Sequence, residues 1–325
     1  MKKVLVTGGA GYIGSVLVRL LLAQDYSVVV VDNLSFGGES IVELLNDPRF
    51  TFIKGDIRDA ALMEEVLTGI DYVAHLAAIV GDPACAKEPE LTKSINLDGA
   101  KQLYDIAQKV GVKRFIFAST CSNYGKMDDE AGYVNEESPL APVSLYAETK
   151  VAFEQFLLSQ KGSGTACIPT CLRFSTVYGL SPRLRFDLTV NEFAKELALG
   201  RELVIFGEQF WRPYCHVVDL SRSVIEVFNA EQDKVAFEVF NVGNTEENYQ
   251  KKMIVDEILK FLPDAKIKYV QRQEDPRDYR VNCDKIANVL NFKITKTVPD
   301  GIEQILQVVK DGFIVNPDDG RYKNI

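Results

Sequence analysis

The chain has 325 residues, enough for one large or two modest domains with a real core. Its 46% hydrophobic and 26% charged content is typical of a soluble globular protein, and a net charge of −9 argues against a nucleic-acid-binding surface. No apolar run reaches the ~18 residues of a membrane span, and a predicted strand follows Lys2 too closely for a signal peptide, so we expect a cytoplasmic protein. Six cysteines without a CxxC pair and only two histidines favour neither a disulfide framework nor a metal site.

The first predicted elements are a buried parallel strand at residues 3–6, a glycine-rich turn and a helix at 15–22. The turn reads Thr7-Gly8-Gly9-Ala10-Gly11-Tyr12-Ile13-Gly14. Strand, glycine turn and helix in this order form the context of a dinucleotide fingerprint, in which the backbone approaches a pyrophosphate at a helix N-terminus. The cofactor contacts that we expect in the turn are Gly8, Gly11, Tyr12, Ile13 and Gly14.

A second apolar run, residues 28–31, ends in Asp32, eighteen residues beyond Gly14. An acidic side chain at this place would accept hydrogen bonds from the adenosine ribose and would repel a 2′-phosphate, so it predicts NAD rather than NADP. Asn33 is expected to share this contact. The alternative is that Asp32 is a solvated acid at the end of a strand.

Further strands are predicted at residues 50–54, 72–76 and 115–118, alternating with helices at 62–67, 96–110 and 146–160. This alternation predicts an α/β fold with a Rossmann-type doubly wound parallel sheet. Ligands bind such sheets at the carboxyl ends of the strands. The remaining expected cofactor contacts, most of which follow predicted strands, are Asp56, Ile57, Leu76, Ala77, Ala78, Asn96, Ser119 and Val177.

From about Leu180 the alternation breaks down, and it returns with a helix at 217–228 and a strand at 237–242. We therefore predict an NAD-binding domain of residues 1–179 plus 213–243, and a smaller mixed α/β substrate domain of residues 180–212 plus 244–325. An anionic substrate would suit the arginines of the second half of the chain. These are Arg183, Arg185, Arg212, Arg272, Arg277 and Arg280.

Tyr146 and Lys150 are spaced so that a helix places both on one face, about a turn apart. A close cation favours the phenolate form of a tyrosine, so Lys150 is expected to tune Tyr146 as the general acid/base. The Thr120 hydroxyl could hydrogen-bond the reacting substrate oxygen. These three are the predicted catalytic residues. The alternative is that Tyr146 and Lys150 are an ordinary pair of side chains on one face of an amphipathic helix. The presence of the glycine turn disfavours this alternative.

With these motifs the chain closely resembles the extended short-chain dehydrogenase/reductase family, the nucleotide-sugar epimerases and dehydratases. The motifs that carry the resemblance are the glycine turn, G-D-I-R-D at 55–59, H-L-A-A at 75–78, N-x-x-G at 96–99 and Y-x-x-x-K at 146–150. The resemblance implies NAD in a Rossmann domain, including contacts from Tyr146 and Lys150. It also implies a nucleotide sugar in the C-terminal domain and a homodimer built on helices like those at 96–110 and 146–160.

The resemblance also implies substrate contacts. Arg212 resembles the arginine of an R-x-Y-x-H-V-x-D element that meets the diphosphate, and Arg272 with Asp275 resembles an R-x-x-D pair that contacts phosphate and ribose. The runs 181–193 and 210–217 look most like a GDP-heptose 4-dehydrogenase subgroup, which adds Arg183, Arg185 and Asn191, besides Thr120, to the expected substrate contacts. The alternative for each arginine is a surface salt bridge.

Two features of the sequence depart from the family pattern. Dehydratases carry an Asp-Glu pair after the catalytic threonine, whereas this chain has Cys121-Ser122, so net dehydration is disfavoured. Thr176 replaces an asparagine that commonly contacts the sugar. Cys121 itself is interpreted as a small packing residue, with a redox or proton-transfer role as the alternative.

The hypothesis from the sequence is an enzyme in which Tyr146 removes the C4 hydroxyl proton of a UDP- or GDP-linked sugar while hydride passes to NAD. A 4-epimerase, which takes the hydride back on the other face of the 4-keto sugar, is favoured over a net 4-dehydrogenase of the GDP-heptose type. A non-catalytic NAD-binding sensor is the alternative from another functional class.

Overall fold

A computed structural model describes residues 1–127, 132–270 and 277–324. The expected substrate contacts Arg272 and Asp275 lie outside the described residues. The strands are β1 (Lys3–Thr7), β2 (Ser27–Asp32), β3 (Phe50–Lys54), β4 (Tyr72–His75), β5 (Arg114–Thr120), β6 (Ile168–Phe174), β7 (Thr176–Tyr178), β8 (Leu203–Phe206), β9 (Trp211–His216), β10 (Glu238–Val242), β11 (Asn248–Gln250) and β12 (Ile267–Val270).

The helices surround these strands and differ widely in length. They are α1 (Gly14–Ala23), α2 (Ala60–Leu67), α3 (Asp82–Lys87), α4 (Pro89–Lys93), α5 (Ala100–Lys109), α6 (Leu145–Ser159), α7 (Thr189–Ala198), α8 (Val217–Asn229), α9 (Gln232–Val235), α10 (Lys251–Leu259), α11 (Asp284–Leu290) and α12 (Val298–Lys310). Short 3₁₀ turns lie at Glu39–Asn46, Cys121–Tyr124 and Gly320–Tyr322. Within the described part of the chain, no helix has the length and apolar character needed to cross a bilayer.

The main sheet has seven strands in the order β10-β6-β5-β4-β1-β2-β3, and every neighbouring pair is parallel. Alternate residues of each central strand face opposite layers, as the pleat requires. Val4 and Val6 pack with α1 and α8, while Leu5 packs with α2, α5 and α6 on the other side. The predicted α/β class and the Rossmann-type doubly wound sheet are confirmed.

One predicted helix is divided in the structure. The expected helix 96–110 begins with a wider π-type turn at Ser94–Gly99, and the regular helix α5 starts only at Ala100. The turn places Asn96 against the loop after β4, where its amide donates to the carbonyl of Ile79 and accepts from its N–H at 2.9 and 2.8 Å. A tertiary contact thus accompanies a helical irregularity that sequence periodicity does not reveal.

The second lobe contains two small sheets, β11-β9-β7 and β12-β8. Its own core is formed by α7, α10 and α12, through side chains such as Phe193, Ile254 and Ile305. The strand β10 and the helix α8 belong to the main sheet and its layers, as the returning alternation predicted. The detailed domain boundaries stay a prediction.

Candidate active site at the carboxyl edge of the sheet

The backbone of the glycine turn after β1 leaves no room for a larger residue at Gly8 or Gly14. Gly8 has a φ of +74°, and a Cβ there would stand 2.8 Å from the backbone nitrogen of Ala77. A Cβ at Gly14 would stand 2.2 Å from the carbonyl oxygen of Gly8. The following helix α1 has no side-chain cap and no acidic residue in its first turn, so its own residues do not neutralise the positive end of its dipole. This cradle fits the pyrophosphate of a dinucleotide.

Asp32 lies beside the cradle and is held by two backbone N–H groups. Its Oδ2 accepts from Ala10 at 3.0 Å and its Oδ1 from Leu34 at 2.8 Å. Burial raises the pKa of Asp32, while these two hydrogen bonds oppose that shift. The neighbouring Asn33 is exposed, and its Oδ1 accepts from the N–H and hydroxyl of Ser35 at 3.0 and 2.7 Å. A carboxylate at the end of β2 is thus fixed next to the glycine turn.

The end of β4 is held by a buried histidine, the first residue of the H-L-A-A motif, for which the sequence predicted no separate role. His75 Nδ1 lies 2.8 Å from Thr7 Oγ1, and that oxygen accepts from the N–H of Ala77 at 3.3 Å. Burial and the nearby Lys150 lower the pKa of His75 to about 3, so the ring is neutral at ordinary pH. Together with Asn96 on Ile79, these contacts fix Leu76, Ala77 and Ala78, all half-buried, against the cradle.

The three predicted catalytic residues come together at the end of β5. Ser144 caps α6 by accepting from the N–H of Ala147 at 3.3 Å, and this helix carries Tyr146 and Lys150 on one face. The Lys150 ammonium lies 5.8 Å from the centroid of the Tyr146 ring and donates to the Ala118 carbonyl at 2.8 Å. Thr120 follows on β5, and the interaction with its hydroxyl lowers the pKa of the Tyr146 phenol.

Burial dominates the electrostatics of this group. Burial raises the pKa of Tyr146 and the Cys85 thiol adds to the rise, whereas the hydrogen bond with Thr120 lowers it. Burial also lowers the pKa of Lys150 to about 8. The expected lowering of the Tyr146 pKa is therefore not the net effect in the protein alone, because desolvation outweighs the opposing effects of Thr120 and Arg185.

A buried ion pair between α6 and β6 stabilises the end of β5. Glu154 lies one turn after Lys150 on α6 and pairs with Arg173 of β6 at 2.5 Å, both side chains being at most 4% exposed. The Ser119 hydroxyl donates to Glu154 at 2.7 Å, and Arg173 donates to the hydroxyl of Tyr124 at 2.8 Å. Ser119 was expected to bind the cofactor, but its side chain is engaged in this network, which leaves only its backbone for such a contact.

Polar contacts join the glycine turn to the second lobe. The Tyr12 hydroxyl is buried and donates to the Gly179 carbonyl at 2.5 Å, so its side chain serves this junction and only its backbone faces the turn. The expected substrate contact Asn191 lies at the same junction and is fully buried. Its amide accepts from Gly179 N–H at 2.9 Å and donates to Tyr12 and to the carbonyls of Gly179 and Arg185. These hydrogen bonds of Asn191 are all made to groups of the protein, and its contact with substrate stays a prediction.

The expected substrate arginines occupy different surroundings. Arg185 forms a two-pronged pair with Asp187 at 2.7 and 2.9 Å. Arg212 donates to the Trp211 carbonyl at 2.6 Å and its guanidinium lies 5.3 Å from the Tyr279 ring centroid. The Tyr279 hydroxyl is in turn 3.4 Å from Ser122 Oγ, which places Arg212 on the side of the turn that follows Thr120.

Three further expected cofactor contacts, Asp56, Ile57 and Val177, differ in what their side chains can offer to a ligand. Asp56 pairs with Arg58 at 2.6 Å, and this hydrogen-bonded partner lowers the pKa of the carboxylate. Ile57 is 4% exposed and Val177 is half-buried. Asp56 therefore has its charge partly compensated within the protein, whereas Ile57 and Val177 can offer only apolar contact or backbone groups.

The Cys121 side chain faces the sheet and not the site. Its Sγ donates to the Arg173 carbonyl at 3.2 Å, and burial raises the thiol pKa to about 12. A buried thiol of this kind packs and does not transfer protons near neutral pH. Among the residues described by the structure, no group of three or more His, Cys, Asp or Glu side chains is placed to hold a metal ion.

Comparison with known proteins identifies the family. The profile of the NAD dependent epimerase/dehydratase family matches residues 4–243. The chain belongs to this family. It is therefore an enzyme of the extended short-chain dehydrogenase/reductase type, and its cofactor is NAD, which confirms the expectation drawn from the sequence.

Three relatives cover nearly the whole chain. A dTDP-glucose 4,6-dehydratase of an Actinoplanes species is 33% identical over 93% of this chain and 96% of its own length. The UDP-glucose 4-epimerase of Thermotoga maritima, solved with UDP-glucose, is 28% identical with a TM-score of 0.84, covering 96% of this chain and 99% of its own. The UDP-glucuronic acid 4-epimerase of Bacillus cereus, solved with UDP-glucuronic acid and NAD, is 27% identical with a TM-score of 0.83, covering 95% and 99%.

Proposed function

We propose that this enzyme is a nucleotide-sugar 4-epimerase that works through a transient 4-keto sugar. The observation that carries the proposal is the convergence of Tyr146, Lys150 and Thr120 beside the glycine cradle. An acid/base tyrosine, a cation next to it and a hydroxyl donor are the groups that oxidation of a secondary alcohol requires. The relatives that act on nucleotide sugars make a sugar C4 hydroxyl the natural substrate group.

In the proposed reaction Thr120 and Tyr146 hydrogen-bond the C4 oxygen of the sugar. The phenolate of Tyr146 takes the C4 hydroxyl proton and returns it after the 4-keto sugar has rotated in the site to present its other face. Lys150, held by the Ala118 carbonyl, would favour the phenolate electrostatically and would contact the cofactor ribose. When bound, NAD supplies the acceptor and later the donor of the C4 hydride, and the glycine turn with Asp32 would hold it.

The proposed substrate carries a UDP or dTDP group, since the relatives described above act on sugars of these classes. Arg212 would contact the diphosphate, because a guanidinium offers paired donors to phosphate oxygens. Arg272 and Asp275 are proposed to contribute phosphate and ribose contacts as the resemblance implies. A homodimer through the faces of α5 and α6 is likewise part of the proposal.

Net dehydration is not proposed, because of the two residues after Thr120. The Cys121 thiol is turned toward Arg173 and has a raised pKa, and Ser122 carries a hydroxyl that ionises poorly. Neither side chain can act as the acid/base pair that removes water from a 4-keto sugar.

Net 4-dehydrogenation is the second candidate, since it uses the same three catalytic residues and differs only in release of the keto sugar. The relatives named above give no support to the GDP-heptose version of this alternative. Its remaining support is the sequence of residues 181–193 and 210–217.

The test is incubation of the enzyme with UDP-, dTDP-, GDP- and CDP-linked hexoses and heptoses, followed by chromatography and mass spectrometry. A new peak of unchanged mass is expected and names the substrate. Loss of two hydrogens would establish dehydrogenation instead, and loss of water would overturn the argument from Cys121 and Ser122. A Tyr146→Phe protein serves as the matched control.

A further inference from the structure

The loop after β2 presents a half-exposed aromatic ring, Phe36, which is 48% exposed. The loop has a defined shape, because Leu34 and Gly37 take positive φ values of +62° and +82° and Asp32 accepts from the Leu34 N–H. Its far end is tied to the glycine turn, since the Ser40 hydroxyl donates to the Ala10 carbonyl at 2.7 Å. Phe36 therefore has a fixed position beside the cofactor cradle.

A segment of the second lobe reaches the same glycine turn from another direction. The Ser181 hydroxyl donates to the Tyr12 carbonyl at 2.6 Å and lies 3.1 Å from the hydroxyl of Ser15. Two residues later, the guanidinium carbon of Arg183 lies 4.3 Å from the centroid of the Phe36 ring. The two segments, each bound to the glycine turn, thus meet each other through Arg183 and Phe36.

Arg183 is a buried cation without a carboxylate partner among the residues that the structure describes. It is 7% exposed, its Nη2 donates to the Lys323 carbonyl at 2.9 Å, and its buried Nε has no hydrogen-bond partner there. The nearby carboxylate of Asp187 pairs with Arg185 instead. Burial and the charge of Arg185 lower the pKa of Arg183 to about 10. A buried charge in this state is costly unless an anion joins it.

We propose that Arg183 binds the phosphate backbone of NAD and, with Phe36, closes across the adenosine half of the cofactor. The contacts of Arg183 favour NAD over the sugar nucleotide, because Phe36 and the Ser181 segment both adjoin the turn that cradles a pyrophosphate. Arg212, by contrast, lies on Tyr279 near Ser122. This inference moves Arg183 from the expected substrate contacts to the cofactor contacts.

The arrangement has a consequence for cofactor exchange. NAD leaving the cradle would have to separate Arg183 from Phe36, a contact between two segments that are each fixed to the glycine turn. Slow release keeps the cofactor resident, so that the hydride is returned within one binding event. The inference rests on NAD as the cofactor and is independent of which sugar is converted.

The experiment compares Arg183→Gln and Phe36→Leu with the wild-type enzyme and with Arg280→Gln as a matched control. Arg280 is also an arginine on aromatic rings, 5.4 Å from the Trp211 centroid and 5.1 Å from that of Tyr133. NAD and NADH affinity are measured by calorimetry, and NADH release is followed by its fluorescence on displacement with excess NAD. Affinity for UDP, dTDP and GDP is measured on the same proteins, and circular dichroism checks their folding.

Arg183→Gln is expected to weaken NAD binding at least tenfold, and Phe36→Leu to speed NADH release several-fold, with nucleoside diphosphate affinity unchanged in both. Arg280→Gln is expected to leave NAD binding within twofold. Unchanged NAD affinity in Arg183→Gln, with or without a loss of nucleoside diphosphate binding, would overturn the proposal. Should Arg183→Gln fail to fold, Arg183→Lys is used instead, because it keeps the charge but loses the planar stacking. Release of NADH from Arg183→Lys at the wild-type rate would count against closure of Arg183 and Phe36 across the cofactor. Epimerase activity does not enter these measurements, so their failure is distinct from failure of the proposed function.

Discussion

The carboxyl edge of the main sheet and the second lobe are held together in different ways. At the sheet edge, backbone packs on backbone, as where Gly8 meets Ala77, and charges such as Glu154 and Arg173 are buried in pairs. In the second lobe, arginines lie on partly exposed aromatic rings, and ion pairs such as Arg201 with Asp318 are nearly half-exposed. We expect the first construction to tolerate little change and the second to be altered without unfolding.

The largest effect is expected at Tyr146, the proposed acid/base group at the sheet edge. Tyr146→Phe removes the acid/base hydroxyl and should lower kcat by about 10²–10⁴-fold. NAD affinity should stay within a few-fold, because the cradle lies on β1 and α1. Turnover of the identified sugar and calorimetric NAD titration check both parts. A Tyr146→Phe variant that keeps most of its turnover would contradict the assignment of Tyr146 as the general acid/base.

A stability comparison tests the two kinds of ion pair directly. Glu154→Leu leaves Arg173 as an unpaired buried cation and should lower the free energy of unfolding by about 3–5 kcal/mol. Arg201→Gln breaks an exposed pair and should cost no more than ~1 kcal/mol. Urea denaturation of both variants gives the values. Equal losses would remove the distinction between the regions, and a double Glu154→Leu/Arg173→Leu variant should recover part of the first loss.

Gly8→Ala should reduce NAD affinity at least tenfold, since its Cβ would stand 2.8 Å from the Ala77 nitrogen at a φ of +74°. Gly69→Ala is the control, because Gly69 has a φ of +80° with nothing within 4 Å of the added Cβ. The control should lose about 1–2 kcal/mol of stability through backbone strain alone and keep its NAD affinity. NAD titration separates the effect of crowding from that of φ.

His75 makes the stability of the sheet edge dependent on pH. Its pKa is lowered from 6.5 to about 3 in the folded protein. Between pH 6.5 and pH 3, the unfolded chain therefore binds a proton at His75 that the folded protein does not bind. The contribution of His75 is fully present above pH 6.5 and is lost as pH falls toward 3, by at most about 1.4 kcal/mol per pH unit. Between pH 7 and pH 5, the urea midpoint should fall less in His75→Asn than in wild type. A parallel pH dependence in the variant would show that other groups are responsible.

The smallest effect is expected from Cys121→Ala. The thiol is buried and turned toward the Arg173 carbonyl, so turnover should stay within about twofold while stability falls by ~1 kcal/mol through lost packing. Steady-state kinetics and urea denaturation measure the two. A severe loss of turnover in a stably folded variant would restore a chemical role for Cys121.

Patterns within short stretches of sequence predicted the fold and the chemistry of the site. The strands up to β5 are within a few residues of expectation, and the four-residue spacing of Tyr146 and Lys150 gave their shared helix face. Side chains whose partners are remote in the chain were harder to interpret. Asn191 and Ser119 are polar residues at expected binding positions, and no local pattern shows that they are bound to Gly179 and Glu154.

The sequence by itself determined the parallel sheet, the glycine cradle and the choice of NAD, and it proposed the catalytic trio, because strand periodicity, turn composition and helix spacing are local properties. Only the tertiary structure decided that His75 supports Thr7, that Glu154 and Arg173 support β5, and that Arg183 lies on Phe36. These contacts join segments far apart in the chain, and packing of the whole core sets which side chains meet.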